Sequence, residues 1–235
     1  MAMQGTSITS RMRGLWAVVP VKLLARSKRR LIPLLSRDER EALACAMLDD
    51  VLAALTQAPS LAGVVVITGD PRAAEIAREA GAFVIPDTEN AGTAAAVATA
   101  ARHLAKRECA GLLVVPADVP LITASDVEAI VEAHRAGPSI TLVPAAADGG
   151  TNALACSPPE IIPFCFGDDS FRLHCEAAQA CGIEAQTIER ARVAQDLDRP
   201  EDIAAFLEHP SATRSYACLT AYGIAQRLKP ESVSL

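Results

Sequence analysis

No uninterrupted apolar stretch approaches the ~18 residues that a membrane-spanning helix needs, so no membrane partner is expected. CxxC pairs are also lacking. The seven cysteines, Cys45, Cys109, Cys156, Cys165, Cys175, Cys181 and Cys218, are scattered and odd in number. That pattern argues against a disulfide framework or zinc motif and suits reduced, buried thiols in a cytoplasmic protein. An excess of basic residues is missing too: the formal charge is -6 and the pI is near 5.3. A surface dominated by nucleic-acid binding would need the opposite balance. Neither GxxxxGK[ST] nor GxGxxG occurs, so a nucleotide would require another cradle.

What is present is the composition of one globular domain, 51% hydrophobic and 21% charged over 235 residues. Residues 1–12 read as a polar, flexible leader without the apolar segment of a secretory signal, and 13–208 as the domain. Residues 209–235 read as a tail with a peripheral helical pattern over Ser215 to Leu228. Strand-length apolar runs, Gly14 to Val21, Val64 to Thr68, Ala82 to Ile85, Gly111 to Val115 and Ser139 to Val143, alternate with helical patterns. Ser36 with Glu39 forms a capping-box signature, Asp70-Pro71 a helix start, Gly81 a stop, Thr123 another cap, and Gly92 to Lys106 an Ala-rich helix. Strands apolar on both faces imply an α/β fold with a mainly parallel sheet covered on both sides. The second half, with strands expected at Thr151 to Cys156 and Glu184 to Ile188, a helix over Ser170 to Cys181 and a short one over Glu201 to Glu208, makes the sheet mixed.

In such sheets ligands bind beyond the C-terminal ends of strands, which directs attention to three loops. Lys22 to Arg30 places five basic residues after the first strand of an acidic chain, a pattern suited to a triphosphate or to a solvated turn. Pro116-Ala117-Asp118-Val119-Pro120 holds a carboxylate in a stiffened turn. In Asp196-Leu197-Asp198, an extended backbone would point both carboxylates one way and Leu197 to the core. Asp118, Asp196 and Asp198 together could hold one or two magnesium ions, although each motif alone is weak: an Asp before a Pro-containing helix start is most often only a cap, as Asp198 before Pro200 could be. Gly149 to Asn152 and Phe166 to Ser170 offer backbone, hydroxyls and a helix start for carboxylate or phosphate oxygens, or are ordinary turns. His174, alone on that helix, reads as structural.

Five ordered blocks carry a resemblance: VPVKLLARSKRRL (Val19 to Leu31), PADVPL (Pro116 to Leu121), GGTNAL (Gly149 to Leu154), FGDDSFRLH (Phe166 to His174) and DLDRPEDI (Asp196 to Ile203). They resemble the 2-phospho-L-lactate guanylyltransferase family of coenzyme F420 biosynthesis, within the molybdenum-cofactor-type nucleotidyltransferase fold. The resemblance implies a single-domain, three-layer α/β/α Rossmann-like architecture with a mixed, mainly parallel sheet. It implies Mg2+ on Asp118, Asp196 and Asp198, and Lys22, Lys28 and Arg30 facing the triphosphate with Asp118 beside them. Thr151, Gly167 and Ser170 are implied to receive the phospho-acid. The implied partners are GTP and 2-phospho-L-lactate, phosphoenolpyruvate or 3-phospho-D-glycerate; a homodimer is admitted. One departure stands out: the family's Gly-Leu-Asn-like triplet is Gly92-Thr93-Ala94 here, without the amide. A nucleotidyltransferase of other base or acceptor specificity, or a catalytically silent nucleotide-binding protein, are the alternatives.

Overall fold

The computed structural model describes residues 14–228; the expected leader, 1–12, lies outside the described residues, as does the end of the tail, 229–235. The first strand, β1 (Leu15–Val21), is followed by two 3-10 turns, Leu24–Arg26 and Arg29–Leu31. Helix α1 (Arg37–Thr56) starts where the capping box requires: Ser36 Oγ accepts from the Glu39 amide at 3.3 Å, and the Glu39 carboxylate accepts from the Ser36 amide at 2.8 Å. Then come β2 (Gly63–Thr68), α2 (Pro71–Glu79), β3 (Phe83–Pro86), α3 (Thr93–Ala105), β4 (Gly111–Val114) and α4 (Ala124–Ala133). The second half holds β5 (Ser139–Pro144), β6 (Thr151–Ser157), α5 (Ser170–Ala180), β7 (Gln186–Thr187) and the short α6 (Ala191–Ala194). Helices α7 (Pro200–Glu208), α8 (Arg214–Ala221) and α9 (Ile224–Arg227) complete it.

The seven strands are ordered β3-β2-β1-β4-β6-β5-β7. Every neighbouring pair is parallel except those made by β6, which runs against both β4 and β5. This is the mixed, mainly parallel sheet that the apolar runs imply. Alternation along β1 divides the core: Ala17, Val19 and Val21 join the side covered by α1, α2 and α4, while Trp16 and Val18 join the side covered by α3 and α5. Among the described residues no helix is long and apolar enough to cross a membrane.

Two expectations change in detail. The strand expected over Glu184 to Ile188 is reduced to Gln186–Thr187, because it pairs only with β5 at the sheet edge. The segment Ser215 to Leu228 forms two helices, broken at Gly223, whose φ of 64° is a left-handed conformation that costs glycine little. This segment is integral rather than peripheral: Leu219 and Ile224 are fully buried against the α1 side of the core. Asp50, on α1, caps α8 by accepting from the Arg214 and Ser215 amides and from Ser215 Oγ at 2.6–2.9 Å. Asp50→Ala removes a charged cap and its three hydrogen bonds; we expect a loss of about 2 kcal/mol, or roughly 5 °C in the melting temperature. Differential scanning calorimetry measures it, and an unchanged transition would mean that apolar packing alone holds α8.

Candidate active site at the β1–β4 crevice

From β1 the chain builds outward through β2 and β3, then returns to lay β4 on the other side of β1. The loops after β1 and β4 therefore diverge and open a crevice between them, the position at which open α/β sheets bind ligands. A cleft of about 390 Å³ lies there, lined by Pro20, Lys22, Lys28, Thr93, Pro116 and Asp118 among others. Larger volume occurs elsewhere, about 760 Å³ beside β5 and β7, but that cavity lacks the converging charges found at the crevice.

The basic loop is fixed from below by Asp70, which is buried. Its Oδ1 accepts from the Arg72 and Ala73 amides at the start of α2, and its Oδ2 accepts from the Leu24 amide at 2.9 Å. The sequence signals the cap; its second role, tethering a loop 46 residues away, has no local signature. Lys28 adopts φ 52°, a left-handed conformation costly for a side chain with a Cβ by about 1–3 kcal/mol. That turn sends its side chain inward, where it is only 6% exposed. Lys28 Nζ donates to Asp118 Oδ2 at 2.7 Å and stands 3.5 Å from Asp198 Oδ1, while Arg30 Nη1 donates to Asp198 Oδ2 at 2.6 Å. Lys22, at the end of β1, is exposed on the same cleft.

Leu197 is buried, and its amide donates to the Asp118 carbonyl at 3.0 Å, stitching the two acidic loops together. Asp196 is half-buried and accepts from Asn152 Nδ2 at 3.2 Å. Burial first, and then the neighbouring Asp118 charge, raise the Asp196 pKa above the ordinary carboxylate value. Asn152 belongs to the Gly149 to Asn152 loop expected to meet ligand oxygens, but its bond to a carboxylate 44 residues away has no local signature. Among the described residues no group of three or more His, Cys, Asp or Glu side chains is arranged to hold a metal ion. Asp118 and Asp198 do already share one cation, the Lys28 ammonium, which stands 2.7 Å from one carboxylate and 3.5 Å from the other. Magnesium commonly takes one or two carboxylates and completes its shell with substrate phosphates, so these residues fit it.

The second group lies at β6 and α5. His174 is fully buried: Nε2 accepts from the Cys165 amide at 3.1 Å, which leaves the proton on Nδ1 to be donated to Thr151 Oγ1 at 3.0 Å. Burial pushes the imidazole pKa down to about 4, so the ring is a neutral brace, in keeping with its structural reading. Ser170 Oγ donates to Thr151 Oγ1 at 3.4 Å, and both hydroxyls are buried. Gly167, at φ 130°, stays exposed, with nothing near the position a Cβ would occupy. The Phe171 amide donates to the Gly149 carbonyl at 3.0 Å, joining the two loops expected to act together. Thr151 and Ser170 thus shape this loop from within, and they connect to the carboxylates through Asn152, the next residue of β6. The charges of Asp168 and Asp148 also bear on Arg30, whose pKa rises chiefly through its hydrogen bond to Asp198. Ala94 follows Thr93, which lines the charged cleft, and itself lines a groove of about 590 Å³ with Ala98, Arg102, Glu160 and Phe164.

The family described as "Guanylyl transferase CofC like" matches residues 15–234. The chain belongs to this family. The match includes the segment beyond His209, which the five blocks did not reach. Within the CofC-like family, the chain is 41% identical over 189 residues to a phosphoenolpyruvate guanylyltransferase of Rubrobacter xylanophilus, covering 80% of this chain and 91% of that protein. It is 36% identical over 186 residues to a 3-phospho-D-glycerate guanylyltransferase of Colwellia psychrerythraea, covering 79% and 88%. Among solved structures, a nucleotidyl transferase from Methanothermobacter thermautotroptrophicus aligns with a TM-score of 0.60 at 16% identity, covering 83% of this chain and 97% of that one. A CMP:2-keto-3-deoxy-manno-octonic acid synthetase complexed with CTP aligns with a TM-score of 0.56 at 17% identity, covering 82% and 96%. These structural likenesses establish that the CofC-like chain has a nucleotidyltransferase fold.

Proposed function

We propose that this protein is a cytoplasmic, magnesium-dependent guanylyltransferase that joins GTP to a small phosphorylated carboxylic acid and releases pyrophosphate, in coenzyme F420 biosynthesis. The observation that carries the reading is the meeting of Lys28, Arg30, Asp118 and Asp198 at the β1–β4 crevice of a CofC-like chain. Relatives named for phosphoenolpyruvate and for 3-phospho-D-glycerate support a three-carbon phospho-acid acceptor without choosing between them. 2-Phospho-L-lactate stays in the set because the resemblance of the five blocks implies it.

An acceptor phosphate oxygen attacks the α-phosphorus of GTP, and the bond from that phosphorus to the β-bridging oxygen breaks as pyrophosphate leaves. A phosphate monoester, with a second pKa of about 6, is already largely anionic at neutral pH, so the step needs no protein base. His174 agrees with this, being locked as a brace by Thr151 and the Cys165 amide rather than placed to take a proton. Lys22, Lys28 and Arg30 neutralise the triphosphate so that an anionic nucleophile can approach. Asp118 and Asp198 are the residues that would hold magnesium, while Asp196 is turned to Asn152 and adds its charge beside Asp118. When bound, magnesium offsets charge building on the α-phosphate and the leaving pyrophosphate. The Gly149–Asn152 and Phe166–Ser170 loops orient the acid, with Gly167 open to it and Thr151 and Ser170 setting the loop's shape.

Pyrophosphate release, measured with GTP and each of the three acids, tests the reading: release must require both the nucleotide and an acid. In the same assay Ser170→Ala is expected to raise the KM for the acid roughly tenfold through loss of an orienting hydrogen bond, leaving the KM for GTP unchanged. A selective rise in the GTP KM would instead move this loop to the nucleotide. Because Ala94 carries no amide, ATP and CTP belong in the assay; release with either at the GTP rate would reassign the base.

A further inference from the structure

We propose that Lys28 is the resident cation of the Asp118–Asp198 pair, so that a divalent ion enters there only as a triphosphate draws Lys28 away. The inference rests on the reading that this pair holds magnesium and that Lys28 meets the triphosphate. The ammonium stands 2.7 Å from Asp118 and 3.5 Å from Asp198, between two carboxylates supplied by different loops. A divalent ion held by the same two carboxylates would stand close to a like charge, so the two cations would exclude each other. Arg30 holds the other oxygen of Asp198 from the exposed side, so Lys28 alone has to move.

The local backbone is consistent with a displaceable arrangement. Lys28 persists at φ 52°, a conformation that needs surrounding contacts to hold it, and its Asp118 ion pair is such a contact. Two carboxylates are also too few to form a cage by themselves, and the phosphates that would complete a magnesium shell are the groups that would attract Lys28. Each ligand therefore favours the other by the same factor. Without nucleotide the chain keeps its acidic pair neutralised and its metal affinity low.

The test is a Mn2+ titration of the full chain without nucleotide, read by the electron paramagnetic resonance signal of free Mn2+. Lys28→Met and Lys28→Gly are expected to bind Mn2+ at least about tenfold tighter than the unaltered protein, the scale of removing one competing ion pair. Lys28→Gly suits the left-handed backbone and serves where methionine impairs folding. Lys28→Arg, which keeps a cation, should bind like the unaltered protein, and adding Asp118→Asn to Lys28→Gly should abolish the gain. If both neutral variants bind Mn2+ no tighter while Asp118→Asn weakens binding, Lys28 is not the competitor and the inference fails, though the metal reading stands. If Asp118→Asn leaves Mn2+ binding unchanged in every background, the metal reading fails with it.

Discussion

Asp118→Asn is expected to lower kcat/KM for pyrophosphate release by about 10²–10³-fold, the scale seen when one preorganised electrostatic partner is removed from a reacting centre. The substitution is nearly isosteric and keeps an oxygen acceptor, so the Leu197 amide still meets the residue 118 carbonyl and the acidic loops stay joined. What disappears is the negative charge, and with it the Lys28 ion pair and a hard ligand for magnesium. Stability should fall by only about 1 kcal/mol, because Lys28, although 6% exposed, retains Asp198 and can still donate to the amide oxygen that replaces the carboxylate. A large loss of rate with a nearly unaltered melting curve is therefore the expected pair of results. Retained activity would remove Asp118 from the metal site.

Acidification from pH 6.5 to pH 4 is expected to cost about 3 kcal/mol of stability through His174 alone, since its pKa is depressed to about 4 against an unfolded value near 6.5. Across that window the unfolded chain binds a proton that the folded chain refuses, so stability falls with each step of acidification. Below pH 4 both forms are protonated and this contribution levels off. The physical cause is local: the folded ring is buried, its Nε2 accepts the Cys165 amide, and protonation would put two donors face to face. His103 and His134 are also depressed by burial and act with the same sign. Comparing urea denaturation of the unaltered protein and His174→Asn at pH 7 and pH 4.5 isolates the difference. Equal pH slopes in the two proteins would show that His174 is not buried as a neutral ring in solution.

These two residues also show what the sequence could reveal. Asp118 was legible because a carboxylate after an apolar strand, stiffened by Pro116 and Pro120, is a local pattern at a position where the fold collects ligands. His174 read as structural for lack of any companion, and its hydrogen bonds to Thr151 and Cys165 agree. Helix starts at Ser36, Asp70 and Thr123 were equally local, since a cap lies within three residues of the amides it serves. The turn of Lys28 to left-handed φ had no signal, because no glycine or asparagine marks it. Nor did the bonds Asn152–Asp196 and Asp50–Ser215, which join residues 44 and 165 positions apart. Sequence reading therefore found the ingredients of the crevice, and tertiary contacts set their arrangement: Lys28 between Asp118 and Asp198, Asp196 turned to Asn152, and Thr151 and Ser170 facing inward.

Mass spectrometry of the products formed from GTP, magnesium and each of 2-phospho-L-lactate, phosphoenolpyruvate and 3-phospho-D-glycerate reads the transfer itself. The expected product is a diphosphate in which a phosphoanhydride bond joins GMP to the phosphate of one of these acids, with one pyrophosphate released per molecule formed. GDP or GMP formed without that mixed diphosphate, or no product with any of the three acids, would contradict guanylyl transfer.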